Sequence, residues 1–355
     1  MNVAAAFRRF ATHECPDDPL YVALCLLVAD HPALASGLAA APPEQQKPNL
    51  WLAAVHDRLL ELGRSAPLAA YYPSLGGARA PDEALGATLA DFIRVESCAL
   101  EEAMRTRSTQ TNEIGRCAVL YVMLLHISRC FPGRPLALLD VGTSAGLNLG
   151  VDAYRYDHGG VMAGAPSAPG IPLIECQPVG PLRAPLDGTF TLAERLGIDP
   201  SPIDVDDDRA VRWLRACLWP CDRMRATRFD DAVALARQHR WPVRREADCT
   251  AAIEPWLDGL PAGVLPVVLN SWVLAYFGKE ALQRHVDTLT RLVAERGAVW
   301  LSAEAPGVGA PVPEPPPTMP GATAWTLTWR HEGRVRMDCL GCSHPHGRQL
   351  EWRVP

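Results

Sequence analysis

Residues 136–148 read LALLDVGTSAGLN. An apolar run, Leu136 to Val141, carries a carboxylate, Asp140, near its end. A turn of small residues follows, Gly142-Thr143-Ser144-Ala145-Gly146, and Leu147-Asn148-Leu149 opens what reads as a helix. Strand, tight turn and helix start together make a seat for a nucleotide-like ligand. Glycines at 142 and 146 let the backbone approach that ligand, and a helix start offers free N–H groups. Asp140, Gly142, Ser144, Gly146 and Asn148 are therefore candidate cofactor-binding residues. The spacing is acidic-x-Gly-x-x-x-Gly, not the dinucleotide pattern G-x-G-x-x-G. Such turns also follow apolar strands in sheets that bind nothing.

Further chemistry is available in several places. Thr109 to Arg116 (TQTNEIGR) holds Gln110, Asn112, Glu113 and Arg116 just ahead of an apolar helix. Thr109 or Thr111 as a helix cap completed by Glu113 explains part of it. Four polar side chains of different type exceed what a cap requires, so Gln110, Asn112 and Arg116 are candidate substrate contacts. Glu113 is a candidate base for an amine or hydroxyl. Asp199 and Asp204 lie on a proline-stiffened stretch, where they can accept from ribose hydroxyls or cap the next helix. Asp206, Asp207 and Asp208 suit the helix N-terminal dipole. Asp248 ends a possible strand and is a candidate for an adenine amino group, or the cap of the helix from Thr250. Asn270 follows VLPVVL and is expected to face the reacting centre; Glu304 follows AVWLSA. Asp140, Asp248, Asn270 and Glu304 at four strand ends would converge on one rim.

Cys339-Leu340-Gly341-Cys342-Ser343-His344-Pro345-His346 offers two thiols and two imidazoles at spacings that suit zinc. So short a knot strains tetrahedral closure, so a stiff hairpin is preferred and no metal is expected. His56 shares a helix with Asp57 and Glu61 and reads as a helix residue rather than a base. The Walker and H-E-x-x-H motifs are absent, which argues against NTPase and metalloprotease chemistry.

The elements that must position these residues fall into two parts. Residues 1 to about 130 read as helices, over 21–29, 50–62 (closed by Gly63), 82–106 and 111–130, with no strand alternation. Beyond Pro135, apolar runs at 136–141, 264–269 and 298–303 are buried parallel strands, with 243–247 as another. Helices are expected at about 148–155, 207–217, 229–239, 250–257 and 279–296. Residues 324–330, 333–340 and 349–354 read as antiparallel strands. Residues 154–184 are Gly/Pro-rich and read as a covering loop, and 306–321 as a Pro-rich surface connection. Trp213 and Trp219 read as packing residues.

Composition bounds the partners. The 355 residues include 48% apolar side chains, enough for sizeable cores. A net charge of −6 without a basic stripe argues against nucleic acid. No apolar run spans a bilayer and no signal-peptide core is present, so no membrane partner and a cytoplasmic location are expected. Eleven cysteines scattered in apolar contexts read as reduced thiols.

The acidic-x-Gly-x-x-x-Gly turn resembles the first motif of S-adenosylmethionine (SAM)-dependent methyltransferases. In order, DDPLYVALCLLVAD, LAAVHDRLLELG, APLAAYYPSL, TQTNEIGRCAVL, LLDVGTSAGLNLGVDAYRY, ERLGIDPSPIDV, RWLRACLWP and SHPHGRQLEW resemble the bacterial family DUF2332 over nearly the whole chain. That resemblance implies a Rossmann-like α/β sheet of the SAM-methyltransferase type, ending in an antiparallel hairpin and preceded by an all-α domain. It supplies no reaction. The expectation is a helical domain, 1–130, and a methyltransferase-like domain, 131–355, acting on a small molecule with SAM as cofactor in a pocket between them. The alternatives are the same fold with other chemistry, or a non-catalytic ligand-binding protein.

Overall fold

Leu136–Val141 buries all six of its side chains, and a strand buried on both faces can only sit inside a sheet. The computed structural model describes residues 2–110, 112–309, 319 and 321–354. The chain runs α1 (Val3–His13), α2 (Pro19–Asp30), α3 (Pro48–Leu62), α4 (Leu85–Thr106), α5 (Cys117–Cys130), β1 (Leu136–Val141), β2 (Arg155–His158), β3 (Val161–Gly164), β4 (Leu173–Glu175) and β5 (Gln177–Val179). It continues through β6 (Leu192–Asp199), α6 (Asp208–Ala216), α7 (Arg223–His239), β7 (Val243–Arg245), α8 (Cys249–Asp258), β8 (Leu265–Ser271), α9 (Lys279–Arg296), β9 (Val299–Glu304), β10 (Thr323–His331), β11 (Arg334–Ser343) and β12 (Gln349–Trp352). Two compact units result: residues 1–111 with 206–227, and residues 112–205 with 228–355. The helix α5 therefore belongs to the second unit and α6 to the first.

The first unit is helical. Asp18 caps α2 by accepting from the Tyr21 amide at 2.9 Å, with Pro19 at the first helical position, where its missing N–H costs nothing. Gly63, at φ 66°, closes α3. Trp51 and Phe7 pack edge to face, 5.6 Å between ring centres. His56 is fully buried between the Ala216 carbonyl and the Ser74 hydroxyl, and burial pushes its pKa down to about 4, so it is a neutral core residue. Trp213 is buried in the same core and donates to the Ser108 carbonyl; Trp219 packs against it. No single helix among the described residues is long and apolar enough to cross a membrane.

The second unit is built on a mostly parallel nine-stranded sheet in the order β5-β12-β11-β10-β9-β8-β1-β6-β7. The strands from β7 to β9 are mutually parallel; β10, β11 and β12 follow as an antiparallel meander, as their alternation predicts. The helices α8 and α9 pack on one face through Ile253, Leu257, Leu289 and Val293 against Leu139, Val268 and Trp300.

Four sequence expectations differ from this. The helix expected over about 148–155 is only a 3-10 turn, Leu147–Gly150. α5 starts at Cys117, after a 3-10 turn at Ile114–Arg116. Residues 154–184 are not a covering loop: β2, β3 and β4 form a second sheet, and β5 pairs with β12. Gly159 and Gly160, both at positive φ, make the two-residue β2–β3 turn that a Gly-Gly pair favours. Finally, β6 lies beside β1, although Leu192–Asp199 lacks an apolar run because its first half faces solvent. Thr111, as a proposed cap, and residues 310–318 and 320 of the Pro-rich connection lie outside the described residues.

Candidate functional site

The chain leaves β1 toward β6 and β7 and later returns on the other side through β8 and β9, so the sheet reverses its winding between β1 and β8. Crevices form at that point, at the carboxyl ends of the strands. Asp140 pairs in register with Gly197 and Leu269, and Val141 with Asn270, so the β1 and β8 tips stand side by side.

The glycine turn at the β1 tip is closed upon the protein itself. Gly142 and Gly146 both have positive φ, so the turn needs them. The space a side chain would take at Gly142 is filled by Val273, and at Gly146 by Val243. The turn's amides are used internally: Gly142 and Thr143 donate to the Ile198 carbonyl, Ser144 to Asp199 Oδ2 at 2.9 Å, and Leu147 to Asn112 Oδ1 at 3.2 Å. The expected open helix start is thus absent, and the two glycines serve close packing rather than an open seat.

Asp140 is buried. Its Oδ2 accepts from Thr143 Oγ1 at 2.7 Å and Asn148 Nδ2 at 3.2 Å. Burial pushes its pKa up to about 6, opposed by those two hydrogen bonds and by the Arg116 guanidinium. Asn112 donates to the Thr143 carbonyl, so it braces the turn from both sides. Cys117 donates to Asn148 Oδ1.

Arg116 occupies the crevice beside this turn. It is buried, and its Nε donates to the Pro345 carbonyl at 2.8 Å, its Nη1 to Ser271 Oγ at 3.3 Å. Its guanidinium lies 5.8 Å from the Trp272 ring centre. Trp272 itself sits at φ 55°, a left-handed conformation that costs an aromatic residue about 1–3 kcal/mol and that folds retain mostly at functional sites. Its indole donates to Thr323 Oγ1 at 2.7 Å.

Glu304, at the β9 tip, completes the cluster. Its Oε1 accepts from the Val273 and Leu274 amides at 2.9 and 3.1 Å. Its Oε2 is buried and has no hydrogen-bond partner among the described residues. Burial raises its pKa to about 7, against the lowering effect of those amides and of Arg116. A carboxyl group poised near neutrality can both give and take a proton.

Two distant motifs meet here. The Gly115 Cα faces the His346 carbonyl, and Gly347, at φ 73°, faces the Gly115 carbonyl. The SHPHG turn and the TNEIGR segment are therefore in backbone contact, where neither glycine tolerates a side chain. Gly115→Ala is expected to lower stability by about 1–3 kcal/mol, since its methyl would displace backbone rather than a flexible side chain; urea unfolding measures it. Glu113 accepts from the Gly115 amide at 2.9 Å and so caps the turn. His344 Nδ1 accepts from the His346 amide, which holds the stiff turn expected from the sequence.

Other predicted site residues lie elsewhere. Asp248 caps α8 by accepting from Ala251 and pairs with Arg284 on the surface, beyond the end of β7. Asn270 does not face the cluster; it is fully buried, with Oδ1 accepting from Trp300 Nε1 and His285 Nε2. Asp199 stands at the β6 tip but spends its carboxylate on the Ser144 and Ser201 amides. Asp204 is exposed, and Gln110 belongs to the first unit. Sequence reading missed Trp272 and Val273, which carry no motif, and the Thr143 hydroxyl.

The second unit is thus a mixed α/β fold on a mostly parallel sheet, with Asp140, Glu304 and Arg116 buried near its winding reversal. The family is narrower: residues 4–352 match the model of DUF2332, described as an uncharacterized protein conserved in bacteria, and the chain belongs to that family. Neither the curated proteins nor the solved structures yield a match.

Proposed function

We propose that this chain is an enzyme acting on a small molecule at the β1, β8 and β9 tips, with Glu304 as the proton-transfer group. Arg116 supplies the fixed positive charge that favours negative charge developing on the substrate. One observation carries the reading: the Glu304 carboxyl is anchored through one oxygen by two amides, while its other oxygen is buried without a partner among the described residues. Such an atom costs free energy unless something occupies it in the working state. The strained Trp272 beside it supports the same location. The expected result is a small molecule carried through native purification, seen by mass spectrometry, and lost from Glu304→Gln and Arg116→Lys variants of wild-type circular dichroism. A molecule retained by both variants overturns the assignment.

SAM-dependent methyl transfer is the second reading. The strand order β7-β6-β1-β8-β9 supports it, and Asp140 and Asp199 flank the Gly142 turn where an adenosyl group would need carboxylates. It requires Val273 and Val243 to move off the glycines and Asp199 to release Ser144. The first reading predicts no melting-temperature change with millimolar S-adenosylhomocysteine. A rise of several degrees, by mass action on the folded state, would replace it with the second.

A further inference from the structure

The C-x-x-C pair at 339–342 stands outside the cluster just described. In a regular strand residues three apart point to opposite faces. Here the β10–β11 ladder is irregular: Ala324 pairs with Cys342, Trp325 with Gly341, and Thr326 with Cys339, so Leu340 is the extra residue of a bulge. The bulge turns Cys339 and Cys342 to one side, and their thiols lie within hydrogen-bonding reach of one another. The two differ in access. Cys342 is fully buried; Cys339 is half-buried.

The surroundings differ as well. The Cys342 thiol acts first on Cys339, and the positive charge of the Arg353 guanidinium adds to it against burial. These bring the Cys339 thiol down to about 7, while the shared hydrogen bond and burial push Cys342 up. Glu351, which pairs with Arg353 at 3.1 Å, is the facing anion and acts on Cys342. An accessible thiolate backed by a buried thiol is the arrangement of an attacking and a resolving cysteine.

We propose that Cys339 and Cys342 form a reversible dithiol–disulfide site that takes low-molecular-weight disulfides of the glutathione type. The Cys339 thiolate attacks one sulfur of the glutathione disulfide; that S–S bond breaks and one glutathione leaves as thiolate. The Cys342 thiol then gives up its proton and attacks Cys339 Sγ, displacing the second glutathione. Two electrons pass from the cysteine pair to the small disulfide, and two protons are taken up by the departing thiolates.

The experiment treats the reduced full chain with glutathione disulfide and maps peptides by mass spectrometry. In the wild type the 339–342 segment should lose two hydrogens and carry no adduct. In Cys342→Ser the resolving step is gone, so a stable glutathione adduct should accumulate on Cys339. In Cys339→Ser neither product should form at Cys342. Peptide mapping separates these products from reaction at the exposed Cys98. A wild-type segment that stays reduced while Cys98 reacts overturns the proposal. So does a Cys342→Ser protein that is no more modified at Cys339 than the buried cysteines are.

Discussion

Arg116→Met should lower the free energy of unfolding by about 3–5 kcal/mol, the range for removing one partner of a buried charge cluster. The side chain is buried and donates to Pro345 and Ser271, groups distant in sequence, so its loss strands acceptors on two elements at once. It also removes the positive charge that opposes the burial penalty of Asp140 and Glu304. Both carboxyls should then titrate higher, so the variant's deficit should be larger at pH 8 than at pH 5. Arg116→Lys keeps the charge but not the planar fork, and should lose less stability than Met while still breaking the Pro345 contact. Urea unfolding of the three proteins at both pH values tests this. A loss below about 1 kcal/mol for Met would mean that the guanidinium is a spectator.

How far the residues alone led can be judged from particular cases. β1, β8 and β9 were legible to within two residues, because a strand buried on both faces must be a continuous apolar run. β6 was not, since only Gly197 and Ile198 approach full burial along it and the rest reads as mixed polarity. In the segment 109–116 one stretch serves two structural ends: Glu113 caps while Arg116 reaches the sheet. Asp140 was legible as the acid of the turn, and the glycines as positions of positive φ. What filled the space beside them was not. That depends on Val243 and Val273, about a hundred residues or more downstream, which local spacing does not report. Glu304 looked like one polar strand end among four. Its distinction, an oxygen buried without a partner, exists only once Val273 and Leu274 have folded back over it.

Glu304→Gln should change the pH dependence of stability more than stability itself. Burial pushes the native carboxyl up to about 7, above the ordinary 4.5, so between those values the folded state holds more protons than the unfolded one. Stability from this group is therefore fully present below about pH 4.5 and is lost as pH rises through 7. Glutamine does not titrate and can keep accepting from the Val273 and Leu274 amides through its carbonyl. The variant should gain about 2–3 kcal/mol relative to wild type between pH 5 and pH 8. Only the difference between the two proteins isolates the effect. Asp140, raised to about 6, adds a slope of the same sign in both. His56, His158 and His285, each lowered to about 4 by burial, add the opposite slope, because stability from them is lost as pH falls from 6.5 toward 4. Those contributions cancel in the comparison. Urea unfolding at half-unit steps from pH 5 to 8 measures it. A difference that stays level across that window would place the Glu304 pKa in the ordinary carboxylate range, and with it would go the case for Glu304 as a proton carrier at neutral pH.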